Sequence, residues 1–344
     1  MYEETLQRTP VRMPGVDGVA MSIGLQKKDT KTVSSHRTPK MGSHTEGSTL
    51  PLAHMSANML NLGPLLSLAC ILEASVAKPG NVHPAAEFAD MTFADMVASG
   101  LAVGRAWDQL QSSIGPTWRV GQFVRMGVRA TRASVGKNTN LGMLLLLGPL
   151  ARAADHRPLC QAQVGRVLDA LTQDDSTDIF ASICDAAPGG LGQADRHDVH
   201  GAAPVDVRTA MCEAADRDLI ARQYCGSFEE VFGAALPWLV EECERSTALS
   251  TVLIRLHLRL MQAYPDSLIA RKCGLEMAAE SARRAGQALA EWDAQGTAGK
   301  STLELDAWLR SDGHRRNPGT TADLVAATLF VKLYNDEVRQ PTAE

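Results

Sequence analysis

The sequence predicts an all-α fold, a single multi-helix bundle-like domain, from three observations. Of 344 residues 45% are hydrophobic but only 5% are aromatic, so alanine and leucine supply most of the apolar surface, a composition suited to packed helices. No segment alternates polar and apolar residues with a period of two, whereas apolar residues recur at helical spacing along most of the chain. Glycine and proline interrupt that pattern at intervals of about one helix plus its connection.

Residues 1–58 are rich in Lys, Thr, Ser, His, Gly and Pro without helical periodicity, and are expected to be a disordered N-terminal extension to a folded domain over 59–340. The first helix is expected from Pro64, a residue suited to the first helical position, to about Ala77, where Pro79 and Gly80 end it. Glu73 lies three or four positions from Leu66, Ala69, Cys70, Val76 and Ala77, so its neighbours on the helix are apolar and it should be buried. A buried carboxylate near the negative end of a helix dipole requires a cationic partner: Lys78, an arginine from elsewhere, or a metal ion. Asn81, His83, Glu87 and Asp90 crowd the loop that follows.

Thr92, with Asp95 three residues later, reads as the cap of a helix running to about Gln111; Gly115-Pro116 breaks it, and a third helix spans about 117–134. The most hydrophobic helix, Met143 to about Ala154, follows Gly136-Lys137-Asn138-Thr139-Asn140-Leu141-Gly142. The asparagines are natural caps, and the free amides of such a helix start also suit a phosphate, with Lys137 beside them. Helices are expected at 159–171 and 175–186, before a glycine-rich segment over 188–198. It follows no strand, so it is not a dinucleotide fingerprint, and His197 and His200 lack the further ligands of a zinc site.

A charged amphipathic helix is expected over 206–224, then helices at 227–242 and 246–263. Asp266, after Pro265, caps a short helix 267–273 or, paired with Arg271, holds a metal-bound phosphate. Helices over 275–295 and 301–311 precede Asn317-Pro318-Gly319-Thr320-Thr321-Ala322-Asp323, where Thr320 or Thr321 caps a last apolar helix to about Tyr334.

A formal charge of −5 gives no basic footprint for nucleic acid, although Arg125, Arg129 and Arg132 can serve a small anion. Seven cysteines, scattered and without a C-x-x-C pair, suggest reduced thiols. No apolar run is long enough for a membrane span and no signal-peptide pattern opens the chain, so a soluble, cytoplasmic protein is expected, with a homo-oligomer admitted.

Four segments resemble, in order, the motifs of the triphosphoribosyl-dephospho-CoA synthase family. They are Glu73-x4-Lys78-Pro79-Gly80, Gly136-x-Asn138-Thr139-x2-Gly142, Asp266-x4-Arg271-x2-Gly274 and Pro318-Gly319-x2-Ala322-Asp323-Leu324. The resemblance implies an all-helical pentosyltransferase that joins the 5-triphosphoribosyl group of ATP to the 2′-hydroxyl of 3′-dephospho-CoA and releases adenine. The match departs from the family at Asn140-Leu141, usually His-Lys, at Ser267-Leu268, usually Thr-Asn, and at Lys272-Cys273, where a double glycine is usual. These departures leave open another nucleotide acceptor in coenzyme biosynthesis, a ribosyl-bond hydrolase, or a non-catalytic helical binding protein.

Substitution at a ribose anomeric carbon passes through an oxocarbenium-like state, which carboxylates stabilise. Glu73 or Asp90 is the expected base, because a carboxylate removed from water is a stronger base near neutral pH. Mg²⁺ is expected to bridge the triphosphate through Asp90, Asp266 and Asp323, with Lys78, Lys137 and Arg271 neutralising the remaining charge. Asn138, Asn140 and backbone donors orient phosphate or ribose, and His83 protonates the leaving base. Gly80, Asn81, Gly142 and Thr320 complete the expected nucleotide-binding set.

Overall fold

Helices start and stop where local chemistry dictates. The computed structural model describes residues 61–186 and 206–339, and among these it contains fourteen α-helices, no strand and only two isolated bridges in the 83–91 loop. α1 (Leu62–Ser75) begins two residues before Pro64 because Asn61 caps it through Gly63 N, and it ends before the extended residue Val76. α2 (Phe93–Ile114) has the expected Thr92–Asp95 capping box, and Gly115 ends it with positive φ. A short 3₁₀ turn leads to α3 (Val120–Val135), and Gly136, in the left-handed region, turns the chain into α4 (Leu141–Ala153).

α5 (Gln161–Asp169) and α6 (Gln173–Ala186) follow. The helix expected over 206–224 is two: α7 (Val207–Ala214) and α8 (Leu219–Cys225), because Asp218 accepts from Ile220 N and Ala221 N and starts a new helix. A π-helical turn over Val231–Ala235 enters α9 (Leu236–Arg245), and then come α10 (Leu249–Ala263), α11 (Ser267–Cys273), α12 (Leu275–Gln295), α13 (Lys300–Arg310) and α14 (Gly319–Arg339).

The core is centred on α4 and α14. Leu144, Leu146, Leu147, Leu324, Val325 and Phe330 are fully enclosed, so both helices are apolar nearly all round, as expected. α1 packs on α2 and α14, α3 on α2, α4 and α6, and a second cluster joins α10, α12 and α13 around Leu258, Trp292 and Leu309. The expectation of reduced thiols is corrected at one place. α7 and α8 pack as neighbours, which brings Cys212 and Cys225 to a Cα separation of 4.8 Å, and a disulfide joins them. Residues 1–60 and the 188–198 segment with His197 and His200 lie outside the described residues.

Candidate active site

The polar starts of α4 and α14, the Leu268–Lys272 face of α11, the end of α1, and the 81–91 loop surround one cleft of about 1280 Å³, which α6, α7 and α8 also line. Of the residues singled out in the sequence, it brings together Glu73, Asn81, Asp90, Lys137, Asn138, Asn140, Gly142, Arg271, Thr320 and Asp323. Lys78, Gly80, His83 and Asp266 are not on its surface.

Glu73 sits at the bottom with 2% of its surface exposed, and Lys78 is its cation: Nζ lies 2.9 Å from Oε1 and also donates to the Glu73 carbonyl. Lys78 is fully enclosed, so a role in holding nucleotide is replaced by a buried ion pair beneath the cleft. His257 of α10, also fully buried, lies with Nε2 3.2 Å from the Pro79 carbonyl and pins the same turn. Burial, then Lys78, lower its pKa to about 3, so the ring is neutral.

Gly80 is architectural. Its φ of +77° belongs to the left-handed region, a Cβ there would meet Leu309 Cδ1 at 2.7 Å, and its amide donates to Asp306 Oδ1 at 2.7 Å. His83 does not reach a leaving base: it is 7% exposed, and its Nδ1 accepts from Ala85 N at 3.2 Å. Burial, then Arg310, lower its pKa, so it is held neutral in its own loop.

Asp266 is also corrected. Its Oδ1 accepts from Leu268 N and Ile269 N, and its Oδ2 from Thr321 N and Thr321 Oγ1 at 2.7 and 2.8 Å. One enclosed carboxylate therefore caps α11 and ties the first turn of α14, which explains why neither Thr320 nor Thr321 needs to supply that cap. Arg271 pairs with Asp218 Oδ2 at 3.0 Å rather than with Asp266. Asp90 is at the exposed rim, 3.4 Å from His314 Nδ1, so among the described residues no group of three acids, histidines or cysteines is gathered around a cation site.

Asp323 is different. It lies against the first turn of α4, where a Cβ on Gly142 would stand 2.0 Å from its Oδ2. No hydrogen bond or ion pair within normal distance reaches its carboxylate from the described residues. Burial first, then the charges of Glu73, Asp266 and Asp218, push its pKa well above the carboxylate range, while Arg271 pulls it back. Glycine at 142 is what permits this approach.

Around it, Asn138 Oδ1 caps α4 by accepting from Leu141 N at 3.1 Å, whereas Asn140, 3% exposed, leaves its Nδ2 without a partner. Asn81 Nδ2 donates to Asn317 Oδ1 at 2.7 Å, and its buried Oδ1 has no partner. Lys137 is tethered to the Asp90 carbonyl and Asp95 Oδ2, and Thr320 Oγ1 lies 3.1 Å from Ser267 Oγ. Arg217, Asp218, Lys272, His314 and Asn317 also line the cleft and were not singled out for it; Arg132, one of the three arginines expected to serve a small anion, lines it too. For Asp218 a signal was present: an aspartate directly before Leu219-Ile220 is a cap.

Comparison with known proteins decides the family. The sequence profile described as ATP:dephospho-CoA triphosphoribosyl transferase matches residues 59–342. The chain belongs to that family. It is therefore a transferase of the triphosphoribosyl-dephospho-CoA synthase type, and the scaffold and hydrolase alternatives find no support. Similarity to a crystal structure from Archaeoglobus fulgidus, of a candidate triphosphoribosyl-dephospho-CoA synthase, has a TM-score of 0.55 and 23% identity, covering 70% of this chain and 98% of that one. At that identity it supports the shared fold. No curated protein matches the sequence significantly. No described helix is long and apolar enough to cross a membrane.

Proposed function

We propose that the cleft binds ATP with magnesium and 3′-dephospho-CoA, and that it transfers the 5-triphosphoribosyl group to the acceptor's 2′-hydroxyl with release of adenine. The observation that carries this reading is Asp323, a half-buried carboxylate that no described side chain or backbone amide meets, set against the N-terminal turn of α4 and in the field of Glu73.

Such an acid fits a cation, since Mg²⁺ takes one or two carboxylates and completes its shell with phosphate oxygens and water. Asp323 would hold the ion, with Glu73 as the nearest second acid. When bound, the ion neutralises triphosphate charge. Arg132, Lys137, Arg217 and Lys272 lie around the cleft as further cations for phosphate oxygens. Burial, then Arg271, lower the Lys272 pKa, and bound phosphate would reverse that shift.

Of the two expected bases, Glu73 is enclosed at the bottom of the cleft and Asp90 is largely exposed, so Glu73 takes the hydroxyl proton and faces the developing positive charge at C1′. Lys78 fixes the Glu73 side chain for that task. The same reading places the enzyme in the cytoplasm, and the exposed Cys212 then makes its disulfide open to thiol exchange.

The test is adenine release from ATP, with and without magnesium and 3′-dephospho-CoA, with the product identified by mass spectrometry. Release that requires both, with a triphosphoribosyl adduct on the acceptor, is expected. Equal release without any acceptor points to ribosyl-bond hydrolysis instead, and an adduct formed only on another hydroxyl compound overturns the acceptor assignment.

A further inference from the structure

The geometry points to Asn140 as the residue that stabilises the departing adenine, with the purine in the apolar lobe of the cleft beside it. This rests on the transferase reading above and adds a subsite and a catalytic role to it.

The cleft is two-sided. Charge comes from the end of α1, the first turn of α14, α11 and, at the end of α7 and the turn into α8, from Glu213, Arg217 and Asp218, whereas Met143, Leu145, Phe180, Ile183, Met211 and Ile220 supply uncharged lining from α4, α6, α7 and α8. A triphosphate belongs with the former and an uncharged, planar purine with the latter. Asn140 stands at the border, because Met143 is three residues further along and shares its helix face.

Asn140 is the N-cap of α4, yet its side chain makes no capping bond. It is enclosed, lines the cleft and leaves Nδ2 unpaired, while Asn138 supplies the cap in its place. A buried amide donor left unsatisfied is costly, and a ligand acceptor removes the cost. The donor also lies at the positive end of a thirteen-residue helix, so both favour negative charge that develops close by. His83, the residue expected to assist the base, is committed to Ala85 N away from the cleft.

In the step itself the C1′–N9 bond breaks with its electron pair going to the purine, and a bond forms between C1′ and the acceptor's 2′ oxygen. The hydroxyl proton passes through Glu73 to the purine, which leaves as neutral adenine. Asn140 keeps its own protons and donates a hydrogen bond to a purine ring nitrogen as charge builds there.

The experiment compares the full-length protein with Asn140→Ala on ATP and on a series of ATP analogues with progressively better purine leaving groups, ending with N7-methylated ATP. On ATP the variant is expected to lose roughly 10²–10³ in turnover, the range for removing one such donor. The deficit should shrink along the series, to within about threefold where the base needs no help. A deficit equal for every analogue overturns the assignment, since a residue that only grips triphosphate or steadies the helix slows all of them alike. Wild-type turnover across the series also overturns it. Asn140→Ser, which keeps a small polar cap, carries the same series if the alanine variant does not fold. Failure of the wild-type protein to release adenine from ATP with acceptor and magnesium overturns the transferase reading itself, and is distinguishable because no variant is involved.

Discussion

Asp266 and Asp323 belong to adjoining elements, the cap of α11 and the first turns of α14; Asp266 is enclosed and Asp323 half-buried, and desolvation raises the pKa of both. They differ in what meets their oxygens. Asp266 accepts four hydrogen bonds and binds two helix starts together, whereas Asp323 has none among the described residues and faces the cleft. The same residue type is architecture in one place and faces the cleft without a protein partner in the other, and it is the free carboxylate that marks the site.

The contrast breaks most visibly through stability. Lys78→Met leaves Glu73 charged and enclosed without its cation, with an expected loss of about 3–5 kcal/mol in denaturant unfolding, much of it recovered in the double variant with Glu73→Gln. Next, Asp323→Asn should keep the fold but cut turnover on the order of a hundred-fold or more and raise the magnesium requirement, measured by adenine release against magnesium concentration. Its effect on stability follows from sign. The folded pKa of Asp323 is raised, so its favourable contribution is complete below the unfolded carboxylate value and is lost as pH rises through the folded value. Asparagine at 323 should therefore flatten that part of the stability profile, and a variant less stable than wild type at neutral pH would remove the distinction from Asp266.

Asp266→Ala, by contrast, removes two caps at once and should cost about 2–3 kcal/mol in unfolding, with its activity loss following the loss of folded protein. His257 gives a smaller, graded effect. Its pKa falls from 6.5 to about 3 in the folded chain, so stability should be complete above pH 6.5 and decline as pH drops towards 3, because only the unfolded chain takes up the proton in that window. A pH titration of thermal unfolding with wild type and His257→Asn checks it. The smallest effect is expected for Asp90→Asn, within about threefold in turnover, since a rim acid opposite His314 is solvated.

Much of the fold was legible because local rules coincide with tertiary ones here. The Thr92–Asp95 box, the Gly115 and Gly136 stops, and the all-round apolar runs of α4 and α14 each have a local cause that packing does not override. The single helix expected over 206–224 failed because charge periodicity continues across a break that Asp218 imposes. Which polar residues gather was legible as well, but not what each one does. Lys78, Gly80 and Asp266 sit in motif positions and His83 in the loop after the first, yet packing turns them inward to serve turns, caps and a buried pair. Partnership between Arg271 and Asp218, 53 residues apart, is a product of tertiary structure and leaves no trace in spacing.

The bond between Cys212 and Cys225 makes the history of a preparation an experimental variable. Met211, Ile220 and their neighbours on the two bridged helices line the cleft, so samples handled with and without dithiothreitol, two hydrogens apart in mass, are two preparations to be assayed separately.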